Sequence, residues 1–247
     1  MKSDITSVLR AWPYNPQKAI RIITAPDDRK VIQLRLPQGI EQYNLDGRPD
    51  GSRPYGCGSV LEEFENRLKE YTDKHSSDAG FHFTYKEYAE LRNEVVLYYF
   101  RYLLLFRAGA FEKALRDSDH AMRICSFVEN YVAPNHRRTA FLEYKPYILW
   151  VYTVSRLIPT LQSQDVDGAE IILKEAIAEM SNLSAINTPS FQIEKKRSLR
   201  HLESSLQQIG YRTSVPLRYL QKELEHAARE ENHEKAASVR NRLHEID

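Results

Sequence analysis

Cysteine is almost missing from this chain. Cys57 and Cys125 are the only two in 247 residues, which excludes a disulfide-stapled scaffold. A dominant charge is missing too: 35 Lys and Arg face 34 Asp and Glu, leaving +1. No global field therefore draws the protein to nucleic acid or anionic lipid. No uninterrupted apolar run is long enough to span a bilayer, and the opening MKSDITSVLR lacks a signal-peptide core. A soluble, cytoplasmic protein with no membrane attachment is expected. Phosphate loops of the GxxxxGK[ST] kind, GxGxxG after a strand, GxSxG elbows and HExxH metal spacings are all absent. No cofactor, metal or catalytic residue is expected on that basis.

What is present is a foldable chain, 42% apolar and 28% charged, which excludes a disordered or low-complexity polymer. Its texture changes near position 59. Before it lie Pro13, Pro16, Pro26, Pro37, Pro49 and Pro54, with Gly39, Gly47, Gly51, Gly56 and Gly58, residues that interrupt helices. Between these breakers, Ala19–Thr24 and Lys30–Leu36 read as strands joined by the turn APDDR, with a third at Ile40–Leu45. Ile32, Leu34 and Leu36 alternate with Gln33 and Arg35, the pattern of a strand with one wet face. The loop DGRPDGSRPYGCG follows.

From Ser59 the period becomes helical. Ser59 with Glu62, and Thr84 with Glu87, have the spacing of capping boxes. Apolar residues at helical spacing predict helices after each box, then over Phe111–Val132, Tyr147–Leu161, Val166–Leu183, Phe191–Ile209, Pro216–Glu231 and Glu234–Ile246. Pro146 belongs to the first turn of its helix or kinks a longer one beginning near Arg138. The expected fold class is mostly α: antiparallel helical hairpins with a small N-terminal β-hairpin and a C-terminal helical hairpin. Its parts are residues 1–58 (β-hairpin and Gly/Pro-rich loop), a helical body over 59–210, and a hairpin over 214–247.

Three stretches, Ala108–Ala121, Ser163–Ala176 and Glu230–Leu243, share one local pattern; in the first two a turn is followed by a bulky residue (Phe111, Val166) and spaced alanines (Ala114 and Ala121; Ala169 and Ala176). Small residues there let two antiparallel helices approach, while the bulky residue plugs their junction. This pattern resembles the tetratricopeptide helical hairpin, although 55 residues separate the two units against about 34 in a regular array.

The last stretch, Tyr219–Ile246, carries two apolar faces. Leu220, Leu224, Ala227 and Ala228 form one; Ala236, Val239, Leu243 and Ile246 form the other. With Glu234, Lys235, Ala237 and Arg240, the pattern resembles the UVR motif. That motif occurs in the excision-repair subunit UvrB, its partner nuclease UvrC, and McsA-type regulators of Clp protease and protein-arginine-kinase systems. His233 stands where the motif usually has phenylalanine, and Asn241 where it has aspartate. The resemblance implies contact with a protein partner through Leu220, Leu224, Ala227, Ala228, Glu231, His233, Glu234, Ala236, Val239, Arg240 and Leu243. A hairpin this small has little core of its own, so the same strip also suits self-association, or docking on the chain's own body as a cap.

Two further groups have ligand-binding chemistry. In the loop, Arg48, Asp50 and Arg53 sit between turn residues, and arginine forks bind carboxylates or phosphates; the alternative is that they stitch the loop to the helices. In the central helices, Tyr98, Arg101, Tyr102 and Tyr147 would line a groove for a peptide or single strand, or else pack in the core. Lys195–Arg200 (KKRSLR) is basic but short. The function expected is a non-enzymatic adaptor that recruits a protein partner, with nucleic-acid binding in repair or stress as the alternative; near-zero net charge weighs against the latter.

Overall fold

The computed structural model describes residues 4–133 and 136–210; the hairpin expected over 214–247 lies outside them. Strands β1 (Ile20–Thr24), β2 (Lys30–Leu36) and β3 (Gly39–Asn44) form an antiparallel sheet in the order β1-β2-β3. Its register places Ile22 beside Ile32 and Ile32 beside Tyr43. Ile32 thereby enters the same core as the helices, with Ile20, Leu34 and Tyr43 packed against it. The sheet is thus continuous with the body.

The opposite face of β2 is not wet, as the alternation predicted. Gln33 is 8% exposed and Arg35 5%. Arg21 Nε donates to Gln33 Oε1 at 2.8 Å, and Gln33 Nε2 to Gln42 Oε1 at 2.6 Å. Trp12 covers this polar row, its ring 3.8 Å from the Arg21 guanidinium, and its carbonyl accepts from Arg35 Nε at 2.7 Å. Just before Trp12 lies the short helix α1 (Thr6–Ala11), which has too few residues to show a period in the sequence. Polar side chains hydrogen-bonded to one another are buried at low cost.

The helices are α2 (Val60–His75), α3 (Tyr85–Arg107), α4 (Phe111–Tyr131), α5 (His136–Leu142), α6 (Lys145–Gln162), α7 (Val166–Asn182) and α8 (Pro189–Gly210). Short turns reverse the chain between α3 and α4 and between α6 and α7. Gly109 (φ 73°) takes the left-handed conformation at the first, and Gln164 (φ 61°) at the second. α3 packs on α4, α4 on α6, and α6 on both α7 and α8, so the helical hairpins stack side by side. Pro146 lies in the first turn of α6, with α5 a separate helix before it.

The two caps differ. Thr84 and Glu87 close a reciprocal box: the Glu87 N–H donates to Thr84 Oγ1 at 3.3 Å, and the Thr84 N–H to Glu87 Oε2 at 2.8 Å. Ser59 Oγ accepts from the Glu62 N–H at 3.0 Å, but the Glu62 carboxylate takes the Gly58 N–H instead, at 2.7 Å. The two hairpin turns differ as well. Ala114, Ala121, Ala169 and Ala176 are all buried, and Phe111 plugs the first turn edge-on to Phe106 at 5.1 Å. Val166 does not plug the second; it is 48% exposed.

Candidate functional site

The loop after β3 carries carbonyls that no strand or helix can satisfy, and the helices meet them with charge. Arg101, on α3 and fully buried, donates twice to the Asp117 carboxylate on α4, from Nε at 2.6 Å and Nη2 at 2.7 Å. Its remaining nitrogen, Nη1, donates to the Asn44 and Gly47 carbonyls, both at 2.7 Å. Arg116 adds a bond to the Leu45 carbonyl at 2.8 Å. A guanidinium suits this place because its planar fork meets a carboxylate and two carbonyls at once.

Two turns earlier along α3 lies Glu94, also fully buried. Its carboxylate accepts from the Val60 N–H at 2.7 Å and the Leu61 N–H at 3.1 Å. It therefore caps the N-terminus of α2 from another helix, where the helix dipole favours an anion. Arg48 Nη1 donates to it at 2.9 Å, and His120 Nε2 lies 3.0 Å away. Burial pushes the Glu94 carboxyl up, but His120 and the two α2 amides outweigh it and leave Glu94 below the ordinary glutamate value. His120 stacks on Tyr98 at 3.9 Å, and burial together with the Glu94 charge raises the Tyr98 phenol to about 12.

The residues singled out in the sequence thus take specific places. Arg48 joins Glu94 and Asp50, the latter at 3.0 Å, and Asp50 also accepts from Ser52. Arg53 is exposed. Tyr98, Arg101, Tyr102 and Tyr147 are all buried, so they form interior packing and not the wall of an open groove. Cys125 is fully buried, and burial raises its thiol to about 12, the state of an inert packing residue. In KKRSLR, Lys195 donates to the Ser181 and Leu183 carbonyls at the end of α7, and Arg197 meets Glu194 at 3.3 Å. Among the described residues, no group of three or more His, Cys, Asp or Glu is placed to hold a metal ion, and no helix is long and apolar enough to cross a membrane. The hairpin residues Leu220 to Leu243 lie outside the described residues.

Sequence reasoning missed Glu94, Asp117 and His120. Each sits on a helix amid ordinary polar residues, and its partners are distant in the chain, so no local spacing marks it.

It also missed the open cleft. A hollow of about 440 Å³ lies along α4, walled by α2 on one side and by α6 and α7 on the other. Leu68, Met122, Phe127 and Tyr152 give it an apolar lining; Glu65, Asp119, Arg123 and Glu179 give it charge. These residues combine desolvating surface with fixed charge, which is the make-up of a binding site. No protein-family model, curated protein or solved structure matches the chain.

Proposed function

We propose that this protein is a cytoplasmic, non-enzymatic adaptor: a stack of helical hairpins of the tetratricopeptide kind that displays a UVR-like C-terminal segment to a protein partner. The observation that carries the reading is the Leu220–Leu243 pattern, Leu220 and Leu224 with paired alanines, then Glu234-Lys235-Ala236-Ala237, Arg240 and Leu243. The body supports it. Arg48, Arg101, Glu94 and Asp117, the most chemically capable side chains, are spent on fastening the loop to α3 and α4. A scaffold of that kind presents surfaces. The partner class that the motif implies is the Clp protease and arginine-kinase machinery or the excision nuclease.

The test is capture of purified partners of those two classes by the full chain and by the double variant Leu224→Asp/Val239→Asp. Loss of capture with an unchanged thermal transition supports the adaptor reading. Capture that survives both substitutions overturns it. Binding that instead tracks oligonucleotide and falls steeply with salt would favour the nucleic-acid alternative.

A further inference from the structure

The cleft along α4 is acidic in excess of what the body neutralises. Glu65, Asp119 and Glu179 face one cation, Arg123, and Arg123 already contacts Glu65 at 2.5 Å. Neither Asp119 nor Glu179 makes an ion pair or side-chain hydrogen bond to any described residue. Half-buried Leu68, Met122 and Tyr152 lie between these carboxylates. Two unpaired carboxylates beside an apolar floor match a ligand that sets cations along an apolar stripe.

The chain contains such a segment. Lys235, Arg240 and Arg242 fall within Lys235–Leu243 with no acid among them, and Ala236, Val239 and Leu243 recur at helical spacing. The preceding stretch, Lys222–Glu231, has the opposite balance, with Glu223, Glu225, Glu230 and Glu231 against Lys222 and Arg229. Charge therefore selects the second stretch over the first. Reach is ample: residues 211–234 connect it to the end of α8 at Gly210. Extended, they span roughly 80 Å, against a radius of gyration of roughly 17 Å for a body of this size.

We propose that the α4 cleft is the docking site for the chain's own segment Lys235–Leu243, its cations against Asp119 and Glu179 and its Val239–Leu243 stripe over the apolar floor. The contact holds the molecule closed on itself. A partner that needs the same stripe must first displace it; that consequence rests on the adaptor reading, while the docking does not.

The experiment uses the full chain. A zero-length carbodiimide joins amines to carboxylates in an equal mixture of ¹⁴N- and ¹⁵N-labelled protein, followed by proteolysis and mass spectrometry. The expected product joins Lys235 to Asp119 or Glu179 within one isotopic chain. In Arg240→Glu/Arg242→Glu, which leaves the cleft and Lys235 intact, its yield should fall at least tenfold. Lys235 joined mainly to other carboxylates, no Lys235 product, or an unchanged yield in that variant overturns the proposal. Light-to-heavy products also overturn it, by making the occupant a second copy. Because no partner enters this assay, failed partner capture with an intact Lys235 product would sink the adaptor reading alone.

Discussion

The half of the molecule that holds the sheet and its loop adds fully buried ions to its apolar core, whereas the half built from α6, α7 and α8 rests mainly on apolar side chains. In the first half, Arg101, Asp117 and Glu94 are fully buried and bridge elements far apart in the chain. In the second, Trp150, Leu157, Leu173, Phe191 and Leu202 fill the interface, and a hydroxyl such as Thr153 returns its bond to its own helix, at Leu149 O, 2.8 Å away. The difference follows from the backbone. Helices satisfy their own amides and need only apolar contact to stack. A Gly/Pro loop presents carbonyls with no ladder, so Asn44, Leu45 and Gly47 must be met by side-chain donors. The fully buried Arg101 and Glu94 go to backbone groups that no ladder satisfies.

Removing one member of the ionic cluster is the largest break in that comparison. Arg101→Leu leaves Asp117 buried without its bidentate partner and strips the donors from two loop carbonyls. The expected loss is about 3–5 kcal/mol, with amide exchange in residues 44–51 accelerating beyond the global rate. Leu173→Ala, in the apolar half, leaves a cavity and costs about 2–5 kcal/mol, but its exchange should rise uniformly. Urea unfolding with site-resolved hydrogen exchange separates the two. Arg101→Leu/Asp117→Leu should cost less than the sum of its singles, because neither ion is then stranded. A loss below about 1 kcal/mol for Arg101→Leu would mean that the buried ions set geometry without holding the halves together.

Acid should separate the halves next. Glu94 titrates below the ordinary glutamate value in the folded protein. Its contribution is therefore complete above the unfolded-state value, near pH 4.3, and is lost as pH falls through the folded value. Asp46, lowered mainly by its hydrogen bond from Lys113, runs the same way from the surface of the same loop. Acid titration should loosen the loop and the start of α2 before the α6–α8 stack, read by exchange at residues 44–61. Glu94→Gln keeps the size but weakens the bonds from Arg48, Val60 and Leu61. It should cost roughly 1.5–3 kcal/mol at pH 7 and flatten the acid limb of stability. An acid limb as steep as that of the parent would place the titration elsewhere.

Much of this architecture was legible in the residues. The three strands begin and end within a residue of their expected bounds, and α4, α7 and α8 nearly so, because turn formers and helical period are local signals. The Thr84 cap was legible for the same reason. What stayed hidden depends on partners far along the chain: Glu94 capping α2, Arg101 reaching the loop, and Trp12 drying the outer face of β2. The tyrosines show the limit well. Tyr98, Tyr102 and Tyr147 advertise a binding surface by composition, yet all three are buried, and the open cleft along α4 is lined by residues with no collective signature.

The two hairpin turns provide the finest comparison, and the smallest expected effect. Phe111 and Val166 occupy equivalent places before their alanines, but Phe111 is 6% exposed against Phe106, whereas Val166 is 48% exposed. At the second turn the closing contact is polar: Asp165 caps α7 through the Gly168 N–H at 2.8 Å. Ala169 still supplies the close helix approach. Val166→Ser therefore removes little buried area and leaves the cap untouched, so stability should change by no more than about 0.5 kcal/mol. Asp165→Ala should cost about 1 kcal/mol, because it strands the first-turn amide that the carboxylate now satisfies. Should Val166→Ser prove the costlier of the two by denaturant unfolding, the second turn would be held by an apolar plug like the first, and the two hairpins would share one closing device.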